Sequence, residues 1–271
     1  MQLSEFVEHY LTIRPTCEQY AKTIRNRTKR LGEFAGRTEL SAVFNETTVN
    51  SFLAQLHGLS PFTRNKYRQD FLAVWRAAAD EDYVGYPQAR RLRRERIVAK
   101  VIECYQENEA RSLVVAAQHL TGGYSNGVAR RHYWPAAIRA AWDSGLRRGD
   151  VWTLKSAMIR RDGTAVIVQH KTGSPVTIRL HKSTVRAMNV AGGSLQWPQC
   201  EWCFRAHFEE IVQLSGLRKG SFKWLRRGSG STVDAHHPGQ GHKHLGNGRQ
   251  VFEKHYDAKL GESKKPLPPE L

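Results

Sequence analysis

Before residue 100 the chain repeats apolar side chains at helical spacing, and no segment alternates as a strand would. Leu3, Phe6, Val7, Tyr10 and Leu11 form one stripe, and Tyr20, Ile24, Leu31 and Phe34 a second. Leu40-Ser41-Ala42-Val43 leads to a short helix from about Thr47 to Leu56. Ser60-Pro61 opens another, with Tyr67, Phe71, Val74, Trp75 and Ala78 on one side, since proline is pre-set for a first helical turn. A chain patterned this way can bury its apolar surface only by packing helix on helix. The opening part is therefore predicted to be a small, all-helical domain.

From Glu107 the pattern changes. Helices are predicted over 107–119 and about 130–144, with a further helical stretch from Asp150 to Leu154. Met158–Ile159, Thr164–Gln169 and Val176–Leu180 read as short strands, with turns at Asp162-Gly163 and Thr172-Gly173. Helices follow near 182–190, 204–215 and 222–227. The stretch Gly228 to Gly248 is rich in Gly and His and gives no clear pattern, and Gly228-Ser229-Gly230-Ser231 reads as a flexible turn. The expected fold class is mainly α with a small antiparallel sheet (α+β). A helical domain over 1–97 is joined by a linker ending at 98–104 to a mixed domain over 105–260, and a flexible tail covers 261–271.

Charge narrows the partner. Among 271 residues, Lys and Arg outnumber Asp and Glu by 42 to 25, a formal net charge of +17. A surplus of this size predicts a polyanionic partner, nucleic acid first of all. The basic run Arg90, Arg91, Arg93, Arg94 and Arg96, through Lys100, lies at the domain junction and is a candidate DNA contact, as are Arg64 and Lys66. No run reaches the length of a membrane-spanning helix, and the acidic, amphipathic opening does not read as a signal peptide. Four cysteines give no disulfide framework. A cytoplasmic, nucleoid-associated protein is expected. Cys200 and Cys203, with His207 beyond, supply only part of a zinc site, so no metal and no cofactor is expected.

Five basic or nucleophilic positions stand in an order that suits phosphate chemistry. Arg147 follows Gly145-Leu146, with Asp150 three residues on as a candidate orienting partner and Arg148 as the competing guanidinium. A planar guanidinium can bind two phosphate oxygens at once. Lys171 lies in the turn between two predicted strands, where it could protonate a leaving oxygen. Lys223 and Arg226 are one helical turn apart and share a face. Tyr256 supplies a phenol, a weak nucleophile unless neighbouring cations lower its pKa.

Together these residues resemble the tyrosine recombinase/phage integrase family, which includes the Xer-type resolving recombinases. Its members carry Gly-Leu-Arg with an acidic residue three on, a lysine on a β-hairpin, a His-x-x-Arg box, a Leu-Gly-His box and then a nucleophilic tyrosine. The counterparts here are Gly145-Leu146-Arg147 with Asp150, Lys171, Lys223-Trp224-Leu225-Arg226, Leu245-Gly246-Asn247 and Tyr256. Ser60 to Asn65 and the helix through Ala78 are similar to the family's helical core-binding domain. Two departures stand out: Lys223 replaces the histidine of one box, and Asn247 the histidine or tryptophan of the other. An alternative alignment puts Gly241-His242 in that second box, and His244 could stand in from the neighbouring turn. No counterpart of an arm-binding domain is seen.

The resemblance implies a core-binding domain followed by a tyrosine-recombinase catalytic domain. Tyr256 would attack a DNA phosphate to leave a 3′-phosphotyrosyl link. Arg147 and Arg226 would stabilise the developing charge, Lys171 would protonate the leaving oxygen, and Lys223 and Asn247 would assist. The implied partners are double-stranded DNA with a specific core site, three further protomers in a tetramer, and accessory proteins. A topoisomerase-like or non-catalytic DNA-binding relative is the alternative.

Overall fold

The computed structural model describes residues 1–98 and 101–258. The chain divides into two units, Met1–Ala99 and Lys100–Leu271. The expected tail at 261–271, the last residues of the second domain and part of the linker, Lys100 included, lie outside the described residues.

The first unit contains α1 (Leu3–Ile13), α2 (Glu18–Ala35), α3 (Leu40–Val43), α4 (Glu46–Gln55) and α5 (Pro61–Asp80). The side chain of Asn45 accepts from the Thr48 amide at 2.8 Å and starts α4; Ser60 does the same for α5 through Thr63 at 3.2 Å. Phe6, Ile24, Leu31, Phe71 and Val74 are fully buried in one core, as the spacing predicts, and Val49 joins them, whereas Tyr20 of the second stripe is exposed. The basic segment after α5 is not a free tether. Leu92 is buried in that core. Asn65, itself buried, donates to the Glu95 carbonyl at 2.8 Å and accepts from the Glu95 amide at 2.9 Å. Asn50 grips Arg91 and Arg93 in the same two-sided way. Residues 89–95 are thus strapped onto α4 and α5.

The second unit opens with α6 (Glu107–Gln118) and α7 (Arg130–Ser144), followed by α8 (Arg148–Val151). Strands β1 (Thr164–Val168) and β2 (Pro175–Arg179) pair antiparallel, with Ala165 opposite Ile178 and Ile167 opposite Val176. Those four side chains are buried, whereas Val166 and Val168 face out. Met158 and Ile159 do not form a strand; Ser156–Met158 is a single 3-10 turn. Then come α9 (Lys182–Val190), α10 (Glu201–Leu214), α11 (Lys223–His236), α12 (Gly241–His244) and α13 (Arg249–His255). No helix among the described residues is long and apolar enough to cross a membrane.

The stretch expected as a flexible Gly-Ser turn is helix. Gly228 to Ser231 lie inside α11, all four buried. A Cβ on Gly228 would come within 1.9 Å of the Tyr105 carbonyl oxygen and 2.9 Å of the Trp142 ring. One on Gly230 would meet Leu245 at 2.8 Å. Glycine is used here for close approach, and packing overrides its poor intrinsic helix propensity. Gly228→Ala is therefore expected to cost at least about 2–4 kcal/mol, or to prevent folding, by overpacking against backbone. Gly149→Ala, where nothing lies within 4 Å, should stay within about 0.5 kcal/mol of the parent chain. Urea unfolding of the two variants measures the contrast.

Candidate active site

The site is built outward from Arg226. Its side chain is 2% exposed on α11. Nη1 donates to the Gly145 carbonyl, and Nη2 to the Leu245 carbonyl at 2.9 Å and to Asn247 Oδ1 at 3.1 Å. Gly145 ends α7 with φ at +59°, and a Cβ there would strike Leu245 at 2.6 Å and His244 at 2.8 Å. Glycine is required both for the left-handed turn and for the space. Burial lowers the Arg226 pKa to about 10, so the group stays cationic near neutral pH.

Arg147 is half-buried at the start of α8. It donates to Gln169 Oε1 at 2.8 Å and to Asn247 Oδ1 at 3.2 Å. Asn247 therefore bridges two guanidinium groups. With donors on both sides its carbonyl must face them, and its buried amide nitrogen is left without a protein partner. Asp150, expected as the orienting partner of Arg147, does something else: its buried carboxylate accepts from the His170 amide at 2.8 Å and ties down the hairpin loop. Arg148, the competing guanidinium, pairs with Glu201 at 2.6 Å and stacks over Trp152.

Tyr256 follows α13 and is buried against Leu245 and Phe252. Its carbonyl accepts from Ser231 Oγ at 2.9 Å, and the same hydroxyl accepts from the Ala258 amide at 2.8 Å, so α11 fixes the backbone on both sides of the phenol. The Arg226 guanidinium lies 4.9 Å from the ring centroid and the Lys223 ammonium 5.3 Å. Burial alone would raise the phenol's pKa; the positive charges of Arg226, Lys223 and Arg147 outweigh it and bring the group below its ordinary 10.0. Lys223 is itself lowered by loss of hydration and by Arg227, Arg226 and Lys171, against the opposing pull of Tyr256. Lys171 is exposed on the loop between β1 and β2. A cleft of about 620 Å³ is lined by Arg147, Lys171, Lys223, Arg226 and Tyr256 together, with Arg148, Arg205 and Lys219 on its walls and Glu209 as the one acid. Its lining is strongly cationic, and a lining of that sign raises the local concentration of anions.

The remaining candidates fall outside that cleft lining. His244 is half-buried, and its Nε2 lies 2.7 Å from Ser229 Oγ. That hydroxyl donates to the Trp142 carbonyl, so its proton is committed and His244 must donate from Nε2–H. The carbonyl of His242 accepts from the Asn247 amide at 2.9 Å and helps shape the turn. In the first unit, Arg64 is largely buried and pairs with Glu95 at 3.0 Å, and Arg93 reaches the same carboxylate at 2.8 Å. Lys66, Arg90, Arg91, Arg94 and Arg96 are exposed. Cys200 and Cys203 hold their sulfurs 2.9 Å apart as free thiols. No group of three or more metal-ligating side chains occurs among the described residues.

Sequence reasoning missed Gln169 and Ser231. Gln169 is 1% exposed and continues the inward alternation of Ala165 and Ile167. A polar side chain at an inward strand position, two residues before Lys171, was the available signal. Ser231 had none, because its role depends on α11 continuing through the glycines.

No protein-family model and no curated protein matches the chain. Solved structures do. A lambda integrase (residues 75-356) dimer bound to a COC′ core site superposes with TM-score 0.74 at 15% identity, covering 100% of both chains. XerH site-specific recombinase bound to difH substrate gives TM-score 0.66 at 14% identity, covering 98% of this chain and 80% of that one. Tn1549 transposon integrase (residues 82-397) in complex with circular intermediate DNA gives 0.66 at 12%, covering 97% and 98%. The chain has the fold that these integrases and recombinases share. It is the fold expected from the sequence, a helical part followed by a helical part with a small antiparallel sheet.

His244 gives the site a measurable acid limit. Burial and the Arg226 charge lower its folded pKa from 6.5 to about 4. A depressed folded value means that the stabilisation is complete above about pH 6.5 and is lost as pH falls towards 4, where the unfolded chain binds the proton more readily. Unfolding free energy should drop over that window by on the order of 3 kcal/mol at most. His244→Gln, which can still donate to Ser229, should flatten this part of the pH–stability curve measured by urea titration.

Proposed function

We propose that this chain is a site-specific DNA recombinase or integrase that cuts and rejoins strands through Tyr256. The observation carrying the proposal is the convergence of Arg147 and Arg226 on Asn247, with a cation-flanked tyrosine in the same cleft. The guanidinium groups supply donors for the two non-bridging oxygens of a phosphodiester, in a site that keeps them fixed before substrate arrives. The Tyr256 phenol gives its proton to solvent, and its oxygen forms the new bond to phosphorus while the bond to the 5′-oxygen breaks. The departing oxygen takes a proton from Lys171, whose loop position lets it reach a bound strand. Lys223 adds positive charge beside the phenol, and the unpartnered amide of Asn247 is free to donate to the phosphate. Attack by a 5′-hydroxyl on the phosphotyrosine reverses the steps and reseals a strand, because the bond energy is retained in the covalent link.

The exposed arginines of the strap, Arg90, Arg91, Arg94 and Arg96, together with Lys66, are proposed to contact the DNA backbone, while Arg64 is held by Glu95. Assembly as a tetramer around paired core sites belongs to the same proposal. The solved lambda integrase tetramer bound to a Holliday junction, whose fold this chain shares with TM-score 0.73 at 15% identity, supports it.

A pool of nicked duplexes with randomised cores, incubated with the full chain, tests the reading. We expect an SDS-resistant protein–DNA species that disappears in Tyr256→Phe, while binding to the recovered duplexes persists and weakens steeply with salt. Binding without any adduct would favour a non-catalytic relative. An adduct that reseals a single duplex, with no dependence on a paired site, would favour a topoisomerase-like activity.

A further inference from the structure

We propose that Gln169 is a positioning residue for strand cleavage: its side-chain amide locks Arg147 to the loop that carries Lys171. This rests on reading the cleft as a phosphoryl-transfer centre. Every polar atom of Gln169 is engaged. Oε1 accepts from Arg147 at 2.8 Å and from the Thr172 hydroxyl at 3.1 Å, while Nε2 donates to the Leu245 carbonyl at 3.3 Å. That carbonyl is also the acceptor for Arg226. The backbone of Gln169 closes the loop, donating to Ser174 at 2.9 Å and accepting from the Gly173 amide at 2.8 Å and the Thr172 amide at 3.2 Å. One residue therefore touches the first arginine, the carbonyl that holds the second, and both ends of the lysine's loop.

The surroundings are fitted to an amide. Gly246, with φ at +61°, leaves the space that Gln169 fills; a Cβ there would lie 2.9 Å from Nε2. Without Gln169, Arg147 would keep only the 3.2 Å contact to Asn247 and would be free to swing between rotamers. A neutral acceptor also differs from a carboxylate in what it leaves behind. It fixes the guanidinium without cancelling the charge that a phosphate needs. The chain departs here from the expected arrangement in which Asp150 orients the arginine: the acid is placed one step back, on the His170 amide.

The test uses duplexes recovered from the randomised pool by adduct formation with the parent chain. Gln169→Met keeps the length and removes the acceptor. We expect its adduct formation to be about tenfold to a hundredfold slower, since small misplacements of a catalytic group cost that much. Affinity for the same duplex should stay within about twofold and the thermal midpoint within a few degrees, because the phosphate contacts that set affinity lie elsewhere. If Gln169→Met fails to fold, Thr172→Val removes one bond to the amide from an exposed position, and a several-fold slower adduct at unchanged affinity is expected. A variant as fast as the parent would overturn the role of Gln169 while leaving the functional reading intact. Rate, affinity and thermal midpoint falling together would make the residue merely structural and likewise overturn it. A parent chain that forms no Tyr256-dependent adduct would sink the functional reading, and this role with it.

Discussion

The second unit is organised around a charge that has no business being dry. A guanidinium as buried as that of Arg226 loses several kcal/mol of hydration free energy, and only well-aimed acceptors can offset it. The acceptors here are backbone carbonyls from two places distant in sequence, Gly145 at the end of α7 and Leu245 after α12. Each carbonyl is available only because the chain turns sharply there: Gly145 adopts the left-handed region, and so does Gly246 just after Leu245. A dipole is a better partner than a carboxylate for this task. It holds the arginine in place and leaves its positive charge uncancelled. The same logic recurs at Arg147, which is held by two side-chain amides, Gln169 and Asn247. Two like charges held by neutral acceptors repel, even with the Asp150 carboxylate nearby, and an anion entering between them would relieve that repulsion.

The arrangement needs α11 to lie closer to its neighbours than side chains usually permit. Gly228 rests on the Tyr105 carbonyl and Gly230 on Leu245, so the helix can sink between α7 and the segment that follows it. Depth has two consequences. It buries Arg226, three residues after Lys223 on the same helix, and it brings Ser231 to the backbone of Tyr256. Local helix propensity, core packing and the placement of Tyr256 are thus set by the same four residues. A straighter reading of glycine as a source of flexibility points the wrong way here.

The sequence made the two-part architecture, the helices of the first unit and the antiparallel hairpin legible, because amphipathic spacing and turn residues are local signals. It also marked Arg147, Lys171, Lys223, Arg226, Asn247 and Tyr256 as candidates through their order, and the fold brings all of them to one centre: five line the cleft and Asn247 bridges two of those. What it concealed was relational. That Asp150 serves the hairpin rather than Arg147 depends on a contact across 20 residues, and that Gln169 serves Arg147 on one across 22. The basic run at 90–96 reads in sequence only as a charged stretch at the domain junction and a candidate DNA contact. Glu95, a single acid among arginines, proved to be the residue that engages Arg64 and Arg93 and whose backbone is gripped by Asn65. Composition hides such a residue because its importance lies in its partners.

The two departures from the family pattern change what the proposed centre can do with protons. Imidazole near a phosphate can both donate and accept in the neutral range; an ammonium and a carboxamide cannot. His244, close to Arg226, is held as a donor to Ser229 and is depressed by burial and by the Arg226 charge. On the proposed reading, Tyr256 would be made nucleophilic at least in part by charge. Arg226, Lys223 and Arg147 do this directly, since their combined field brings the phenol below its ordinary pKa despite its burial. Lys223 in place of histidine is therefore more than a loss. On the proposed reading it exchanges an imidazole for an ammonium 5.3 Å from the phenol ring centroid, and activation of Tyr256 would lean more on electrostatics than on proton transfer.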